Sequence, residues 1–153
     1  MTSSQKQIAQ NKKARYNYHI IDTYEAGIVL VGSEVKSCRL GKVSLIDSYA
    51  RIDKGEIYLV DLHISQYPYS NRFNHDPLRN RKLLLHGREI KRLYGKIRER
   101  GQSLIPLKMY FNKRGKVKVE VALVKGKKKY DHRDDIRRRD LKRDAERELK
   151  ERR

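Results

Sequence analysis

Apolar and polar residues alternate along two neighbouring stretches in the second half of the chain. From Ile105 to Phe111 every second residue is apolar, and the same alternation runs through 117–123. A period of two is typical of β-strands with one buried face, and the short polar link at 112–115 is typical of a turn. The pattern predicts an antiparallel hairpin, in which Pro106 is best tolerated at a sheet edge or near the strand start.

A second hairpin and two short strands are predicted in the first half of the chain. The turn-like residues 53–56 separate apolar runs at 48–52 and 57–64. Glycine and charged residues between two such runs are typical of a tight turn between paired strands. Residues 19–24 and 27–31 are further candidate strands.

Two helices are expected between the strands. Apolar residues at i, i+3, i+4 and i+7 predict a helix over 88–100, which Gly101 would end. A shorter helix is expected from Ser33, as its N-cap, to Leu40. Residues 65–82 contain two prolines and several polar residues, and predict a long surface loop.

These elements predict a mainly β fold with helices. Six or so short strands with one well-formed helix among them favour a small antiparallel β-barrel of the OB type, with two or three helices. We expect a flexible basic N-terminal arm over 1–15, the barrel over 16–125 and a basic tail over 126–153. The tail has few apolar residues but several acid-then-base pairs at i,i+4, so it should be disordered when free and helical on a partner.

The net charge indicates the class of partner. The 153 residues include 38 Lys+Arg and 19 Asp+Glu, a formal charge of +19, which disfavours a compact state unless a polyanion supplies counter-charge. The single cysteine, Cys38, excludes an intrachain disulfide framework and is expected to be a small core residue. No apolar run reaches the roughly 18 residues of a membrane span. A soluble cytoplasmic protein that binds nucleic acid, without a membrane partner, is therefore predicted.

Motifs for catalysis, metals or cofactors are lacking in the sequence. The histidines have no metal-ligand spacing, and no nucleophile elbow or phosphate-binding loop occurs. We therefore predict no enzyme activity, no metal and no cofactor. Scattered acids such as Glu34, Asp47, Asp53 and Asp61 could form a two-metal nuclease site, but such residues more often occupy turns and surfaces.

Four segments are rich in cations or aromatic residues, and three of them (11–16, 67–73 and 126–130) combine the two, which indicates RNA or DNA binding. Lysine and arginine neutralise phosphates, while tyrosine and phenylalanine offer faces for unstacked bases. Each segment by itself is weak, because a charge run is usually a solvated face. The four segments are 11–16, 67–73, 79–82 and 126–130.

Several short blocks occur together in the order found in one bacterial family. They are Lys12-Lys13-Ala14-Arg15, Tyr24-Glu25-Ala26-Gly27-Ile28, Gly32-Ser33-Glu34-Val35-Lys36-Ser37, Arg81-Lys82-Leu83-Leu84-Leu85, Leu93-Tyr94-Gly95-Lys96 and Gly126-Lys127-Lys128. Over about 11–133 the chain resembles the small protein B family, the SsrA-binding proteins. The resemblance implies an OB-type barrel that binds the tRNA-like domain of transfer-messenger RNA (tmRNA).

The resemblance also implies the partners and the role of the tail. It implies delivery of tmRNA to stalled ribosomes for trans-translation, with the tail in the decoding centre of 16S rRNA and the empty mRNA channel. Elongation factor Tu would be an indirect partner through aminoacylated tmRNA, and the protein is expected to be a monomer. A structural ribosomal protein that binds rRNA is the alternative, since it would share the charge and the tails.

The resemblance implies two groups of site residues. For tmRNA the expected residues are Lys12, Lys13, Arg15, Glu34, Lys36, Arg39, Arg81 and Lys82. For the ribosome they are Lys127, Lys128, Lys129, Tyr130, Asp131, His132, Arg133, Arg137, Arg138, Arg139 and Arg143.

Purely structural explanations compete with these roles at three places, and one further residue departs from the family pattern. Glu34 could simply be favoured by the dipole of a first helical turn. Tyr130 could simply close the last strand, and Lys127–Lys129 could be a solvated linker. The family often has lysine where this chain has His132, which would make that contact weaker or pH-sensitive.

Overall fold

The computed structural model describes residues 6–69 and 74–151, without the side chains of 99–100 and 129–131. It has nine strands and four helices over these residues. In chain order they are β1 (Lys6–Gln10), α1 (Ala14–Asn17), β2 (Tyr18–Ile28), α2 (Gly32–Arg39), β3 (Val43–Ser44), β4 (Tyr49–Asp53), β5 (Glu56–Val60), β6 (His63–Ile64), β7 (Arg81–Leu84), α3 (Gly87–Arg100), β8 (Ser103–Phe111), β9 (Val117–Gly126) and α4 (Lys129–Glu151).

Seven strands form one antiparallel sheet, and most of this sheet closes on itself. Their order is β1-β8-β4-β5-β7-β2-β9, and β9 pairs with β8 as well as with β2. Six of the strands therefore close into a ring, to which β1 is added at β8. The short strands β3 and β6 pair separately. The predicted mainly β fold with helices is confirmed.

Both predicted hairpins are present. In the first, Phe111 of β8 lies opposite Val117 of β9, across the turn that the polar link predicted. The register shifts beside Pro106, and such a bulge accommodates a residue that has no N–H to donate inside a paired strand. In the second, Lys54 and Gly55 both have positive φ, at 50° and 77°, as a tight turn between twisted strands requires.

The interior of the ring holds a small apolar core. Leu59, Leu104 and Val119 come from three different strands and are fully buried. Helix α3 covers part of this core with Ile90 and Leu93, as its apolar spacing predicted. The helix ends at Gly101, whose φ of 60° is the left-handed conformation expected of a C-terminal glycine.

The N-terminal segment is structured from residue 6 onwards, which corrects the expectation of a flexible arm over that part of 1–15. Strand β1 pairs with β8, and Ile8 packs against the core. Asn11 extends this attachment, because its backbone N–H donates to the carbonyl of Leu107 at 2.7 Å. Ala14 is buried in a second apolar cluster. The composition of the segment is polar, but the edge of β8 supplies the backbone partners that a strand needs. Residues 1–5 lie outside the described residues.

One strand, β2, replaces the two short strands expected at 19–24 and 27–31, and it ends at Ile28, so residues 29–31 are not part of it. Gly27 lies inside it and does not interrupt it, because the sheet needs a small residue there. A Cβ at this position would lie 3.3 Å from the Cβ of Leu84 on β7. The glycine thus marks a close approach of two strands rather than a break.

Residues 129–151 form the helix α4, whereas the sequence predicts a tail that becomes helical only on a partner. Nearly all of its described side chains are exposed, including Leu141 and Leu149 at 63% and 65%. Its helical state therefore rests on interactions within the helix more than on burial in a core. None of the described helices is long and apolar enough to cross a membrane.

Candidate nucleic-acid interface

The N-cap of helix α2 is Val31, directly before Gly32, and Glu34 is the third residue of the first turn. The carboxylate Oε1 of Glu34 accepts the backbone N–H of Val31 at 2.9 Å. Ser33 was expected to be the N-cap, but its hydroxyl lies 2.8 Å from Nδ1 of His75 instead. The cap prediction is therefore corrected: a carboxylate three residues into the helix satisfies the terminal N–H.

Glu34 is also the centre of a buried ion-pair network. Its Oε1 lies 2.5 Å from Nη2 of Arg79, and its Oε2 accepts a short hydrogen bond from Nε of Arg81. Arg81 donates further to the carbonyl of Leu62 at 2.6 Å. Burial by itself raises the pKa of Glu34, but the hydrogen bonds from Arg79, Val31 and Arg81 outweigh it, and the pKa is lowered.

This network corrects two of the expected RNA contacts. Glu34 and Arg81 are both 0% exposed, so neither side chain can touch RNA in this conformation. Together with Arg79 they attach the segment before β7 to α2. They therefore support the surface rather than form it, and Glu34 does lie in the first turn of α2, where the helix dipole favours a carboxylate.

The exposed side of α2 carries cations beside aromatic rings. Lys36 and Arg39 are exposed, and Nζ of Lys36 lies 5.5 Å from the ring centroid of Tyr67. The ring of Tyr67 meets that of Tyr69 edge-on at 5.5 Å, and Tyr69 is 80% exposed. A phosphate could lie on the cations while a base stacks on Tyr69. Residues 70–73 of this aromatic segment lie outside the described residues.

A second group of exposed cations lies around α1. Lys12, Lys13 and Arg15 are exposed, and Lys12 and Arg15 line a cavity of about 160 Å³. Among the residues described, no hydrogen bond, ion pair or cation–π contact joins these three to Lys36 or Arg39. The structure places the two groups on separate elements, around α1 and on α2.

Lys82 carries less free charge than the sequence suggests. It lies on β7, and its ammonium group is 3.1 Å from a carboxylate oxygen of Glu56. Both side chains are partly exposed, so the pair is weak and Lys82 remains accessible to a phosphate.

The expected ribosome contacts lie at the end of β9 and along α4. Lys127 forms an ion pair with Asp135, and the hydrogen bond from Lys127 lowers the pKa of that carboxyl group. The ring of His132 lies 4.7 Å from that of Tyr16, and the guanidinium of Arg139 lies 5.7 Å from the same ring. The side chains of 129–131 are outside the described residues. The remaining expected residues are exposed: Lys128, Arg133, Arg137, Arg138 and Arg143.

A groove beside β2 was missed from the sequence. It has a volume of about 370 Å³, and Leu84, Lys116 and Lys118 are among its lining residues. Leu84 is 53% exposed, so an apolar surface lies next to two lysines, which suits the sugar-phosphate edge of a nucleic acid. The sequence predicts only a turn at 112–115 and a strand at 117–123. The groove depends on the pairing of β2 with β7, which brings Leu84 near Lys116 and Lys118.

Two observations concern thiol and metal-binding groups in the part of the chain that the structure describes. Cys38 is buried, as expected of a core residue, and burial raises the pKa of its thiol to about 12. Among the described residues no group of three or more His, Cys, Asp or Glu side chains could hold a metal ion.

Comparison with known proteins agrees with the resemblance. The model of the family described as "SmpB protein" matches residues 8–151. The chain belongs to the SmpB family. The SsrA-binding protein of Symbiobacterium thermophilum is 62% identical over 143 residues, which cover 94% of this chain and 90% of the relative. That of Desulforamulus reducens is 60% identical over 147 residues, covering 96% and 91%.

A solved structure resembles the fold as well as the sequence. It is described as "tmRNA-SmpB: a journey to the center of the bacterial ribosome", and its matching chain is 51% identical with a TM-score of 0.67. The match covers 79% of this chain and 85% of that one. The family that the short sequence blocks indicated is thereby confirmed.

Proposed function

We propose that this protein binds tmRNA through its tRNA-like domain and delivers it to stalled ribosomes for trans-translation. One observation carries the proposal: the family model matches residues 8–151, which include both the barrel and the tail. The relatives bear the name SsrA-binding protein, and the similar solved structure concerns tmRNA and SmpB in the ribosome. In this role the tail occupies the decoding centre and the empty mRNA channel.

The exposed surface supports a role in binding: it would contact RNA phosphates and bases but leave the RNA chemically unchanged. Lys12, Lys13 and Arg15 offer charge at α1, and Lys36 and Arg39 offer charge beside aromatic rings at α2. We include the groove at Leu84, Lys116 and Lys118 in this interface because it combines apolar contact with charge. Glu34 and Arg81 act from inside by holding α2 in place.

The finer parts of the proposal concern partners and location. Elongation factor Tu is an indirect partner, because it binds the aminoacylated end of tmRNA. The protein acts as a monomer in the cytoplasm. The protein is an RNA-binding factor rather than an enzyme. Purified protein with Mg²⁺ should therefore leave RNA intact over hours, and specific cleavage would contradict this assignment.

Recovery of the bound RNA from cells tests the function. A tagged full-length chain is purified from cells, and its RNA is sequenced. We expect strong enrichment of one RNA with a tRNA-like end, and sedimentation in high salt should release the protein from ribosomes. Broad recovery of rRNA with retention in the particle would support a structural ribosomal protein instead.

A further inference from the structure

An exposed tyrosine lies beside the cations of α2, on the segment between β6 and β7. Tyr69 is 80% exposed, the largest exposed fraction among the large apolar and aromatic side chains of the described residues. Its ring meets that of Tyr67 edge-on at 5.5 Å, and with so high an exposure a face of the Tyr69 ring stays open to solvent. The ammonium group of Lys36 lies 5.5 Å from the centroid of the Tyr67 ring. An open aromatic face and an exposed cation therefore flank the same ring.

The side chain of Asn74 fixes the backbone of Tyr67. Its Oδ1 accepts the backbone N–H of Tyr67 at 3.2 Å, and its Nδ2 donates to the carbonyl of Tyr67 at 2.8 Å. The same Oδ1 also accepts the backbone N–H of His75 at 3.1 Å. One amide thus satisfies both backbone polar groups of Tyr67, as a neighbouring strand would, and joins two positions that are seven residues apart.

His75 attaches this segment to the rest of the protein. Its side chain is buried, with Nε2 at 2.8 Å from the carbonyl of Ile64 and Nδ1 at 2.8 Å from the hydroxyl of Ser33 on α2. A carbonyl only accepts, so in the neutral ring Nε2 carries the proton and Nδ1 accepts from Ser33. Both ring nitrogens are therefore used inside the protein, and His75 holds the segment against α2 rather than contacting a ligand.

We propose that Tyr69 is a stacking site for an unpaired base of the bound RNA, and that Asn74 and His75 are positioning residues that hold it. A tyrosine face stacks on any base, while a neighbouring cation such as Lys36 attracts the phosphates of the same strand. A segment held at two points loses less conformational freedom on binding than a free one does. The formal charge of +19 favours an RNA strand as the occupant of this face. That this RNA is tmRNA rests on the proposed function.

Fluorescence of a tryptophan at position 69 tests the stacking directly. The chain contains no tryptophan, so Tyr69→Trp introduces a single reporter. A stacked base quenches indole emission, so the signal should fall as a short single-stranded RNA or the tRNA-like domain of tmRNA is added. The midpoint should match that of RNA binding measured by filter retention. Tyr49→Trp is the matched control, since Tyr49 is an exposed tyrosine on β4, and its emission should stay unchanged.

The salt dependence of the affinity distinguishes stacking from charge. Tyr69→Ala should weaken RNA binding at least about fivefold, the lower end of the range for one stacked base, and leave the slope of log K against log salt unchanged. Tyr69→Phe keeps an aromatic face and should bind as the parent does. Lys36→Ala should instead lower the slope by about 0.7–0.9. Parental affinity in Tyr69→Ala, or a slope that falls in it as in Lys36→Ala, would overturn the stacking role.

Variants of the two positioning residues test how Tyr69 is held. Asn74→Ala and His75→Ala should each weaken RNA binding without a change in slope. Neither should weaken it further in the Tyr69→Ala background, because both act through that ring. Asn80→Ala removes an exposed amide from the same segment and should leave the affinity unchanged. If His75→Ala lowers the thermal unfolding midpoint, Asn74→Ala decides, since its side-chain hydrogen bonds stay within the segment. Full affinity in Asn74→Ala would contradict the positioning role.

The two RNA probes separate this inference from the proposed function. If the tRNA-like domain fails to bind the parent chain while the short RNA quenches Tyr69→Trp, the proposed function fails and the stacking site stands. If the tRNA-like domain binds without quenching Tyr69→Trp, the stacking site fails and the proposed function stands.

Discussion

At the scale of single residues, Glu34 and Arg81 show how a buried ion pair can be needed without being a binding contact. Both side chains are fully buried and each would be costly to leave alone in the interior. Arg79 and Leu62 complete the network by engaging the second oxygen and a guanidinium N–H. The pair therefore holds α2 against the segment before β7, and its loss should affect stability first.

Replacing Glu34 with alanine should cost about 3–5 kcal/mol in the free energy of unfolding, because Arg81 is left buried and unpaired. Urea denaturation followed by circular dichroism measures this value. Glu56→Ala is the matched control, since Glu56 pairs with Lys82 at the exposed surface, and it should change stability far less than Glu34→Ala. Similar small losses in both variants would contradict a supporting role for the buried pair.

The lowered pKa of Glu34 predicts a dependence of stability on pH. A carboxyl group whose pKa is lower in the folded state stabilises that state above its unfolded pKa, about 4.3. This contribution is lost as the pH falls through the folded value. The difference in unfolding free energy between the parent and Glu34→Gln should therefore be largest near neutral pH and narrow below about pH 4. A difference that stays constant down to acid pH would contradict the assignment.

At the scale of elements, α1 and α2 each present cations while their other faces are held by the barrel. Ala14 is buried beneath α1, and Ser37 and Cys38 are buried beneath α2. The lysines and arginines of both elements are thereby displayed on attached backbone rather than on free chain. A cation held in this way loses less conformational freedom when it meets a phosphate.

Lys13→Ala should reduce the salt dependence of tmRNA binding. Each phosphate contact contributes about 0.7–0.9 to the slope of log K against log salt, so the slope should fall by nearly one unit. Lys142→Ala, which removes an equal charge from the exposed side of α4, should leave the slope for tmRNA unchanged. Titrations at several salt concentrations measure both. Unchanged slopes for Lys13, Lys36 and Arg39 variants alike would place the RNA surface elsewhere.

At the scale of the whole molecule, the barrel and the tail are suited to different partners. The barrel has a closed ring of strands, an apolar core and the proposed tmRNA surface. The tail is a long, exposed, highly charged helix that is attached only at its base in the described contacts. A groove walled by rRNA suits such a helix, because phosphates can pair with arginines on several of its sides.

Truncation after Tyr130 should separate the two functions. We expect the tmRNA affinity to stay within about tenfold, or about 1.4 kcal/mol, while peptide tagging is abolished. The helical signal of the free protein should fall, because α4 is the longest of the helices that the structure describes. Normal tagging by the truncated chain would show that the tail has no decoding-centre role.

Leu141→Pro provides the same test without removing the tail. Proline in a helix interior costs about 3 kcal/mol, so the helix should break near its middle and tagging should fall as in the truncation. Leu141→Ala is the matched control, because it keeps the helix and removes an exposed side chain.

The sequence by itself determined the elements whose signals are local. The alternation around 112–115 predicted the β8–β9 hairpin, and the spacing before Gly101 predicted α3 and its end. Both follow from periodicities within a few residues, which a chain expresses wherever it lies in the fold. The ordered blocks from Lys12 to Lys128 likewise indicated the family, because they are a property of the sequence alone.

Only the tertiary structure decided which charged residues are available to a partner. Glu34 and Arg81 are 47 positions apart, and nothing local shows that they meet in the interior while Lys36 stays outside. The same holds for Leu84, which lies in a groove because β7 approaches Gly27 on β2. Burial depends on contacts between distant parts of the chain, whereas charge and hydropathy are read one residue at a time. A lysine or arginine in the sequence therefore predicts an RNA contact only after the fold has placed it at the surface.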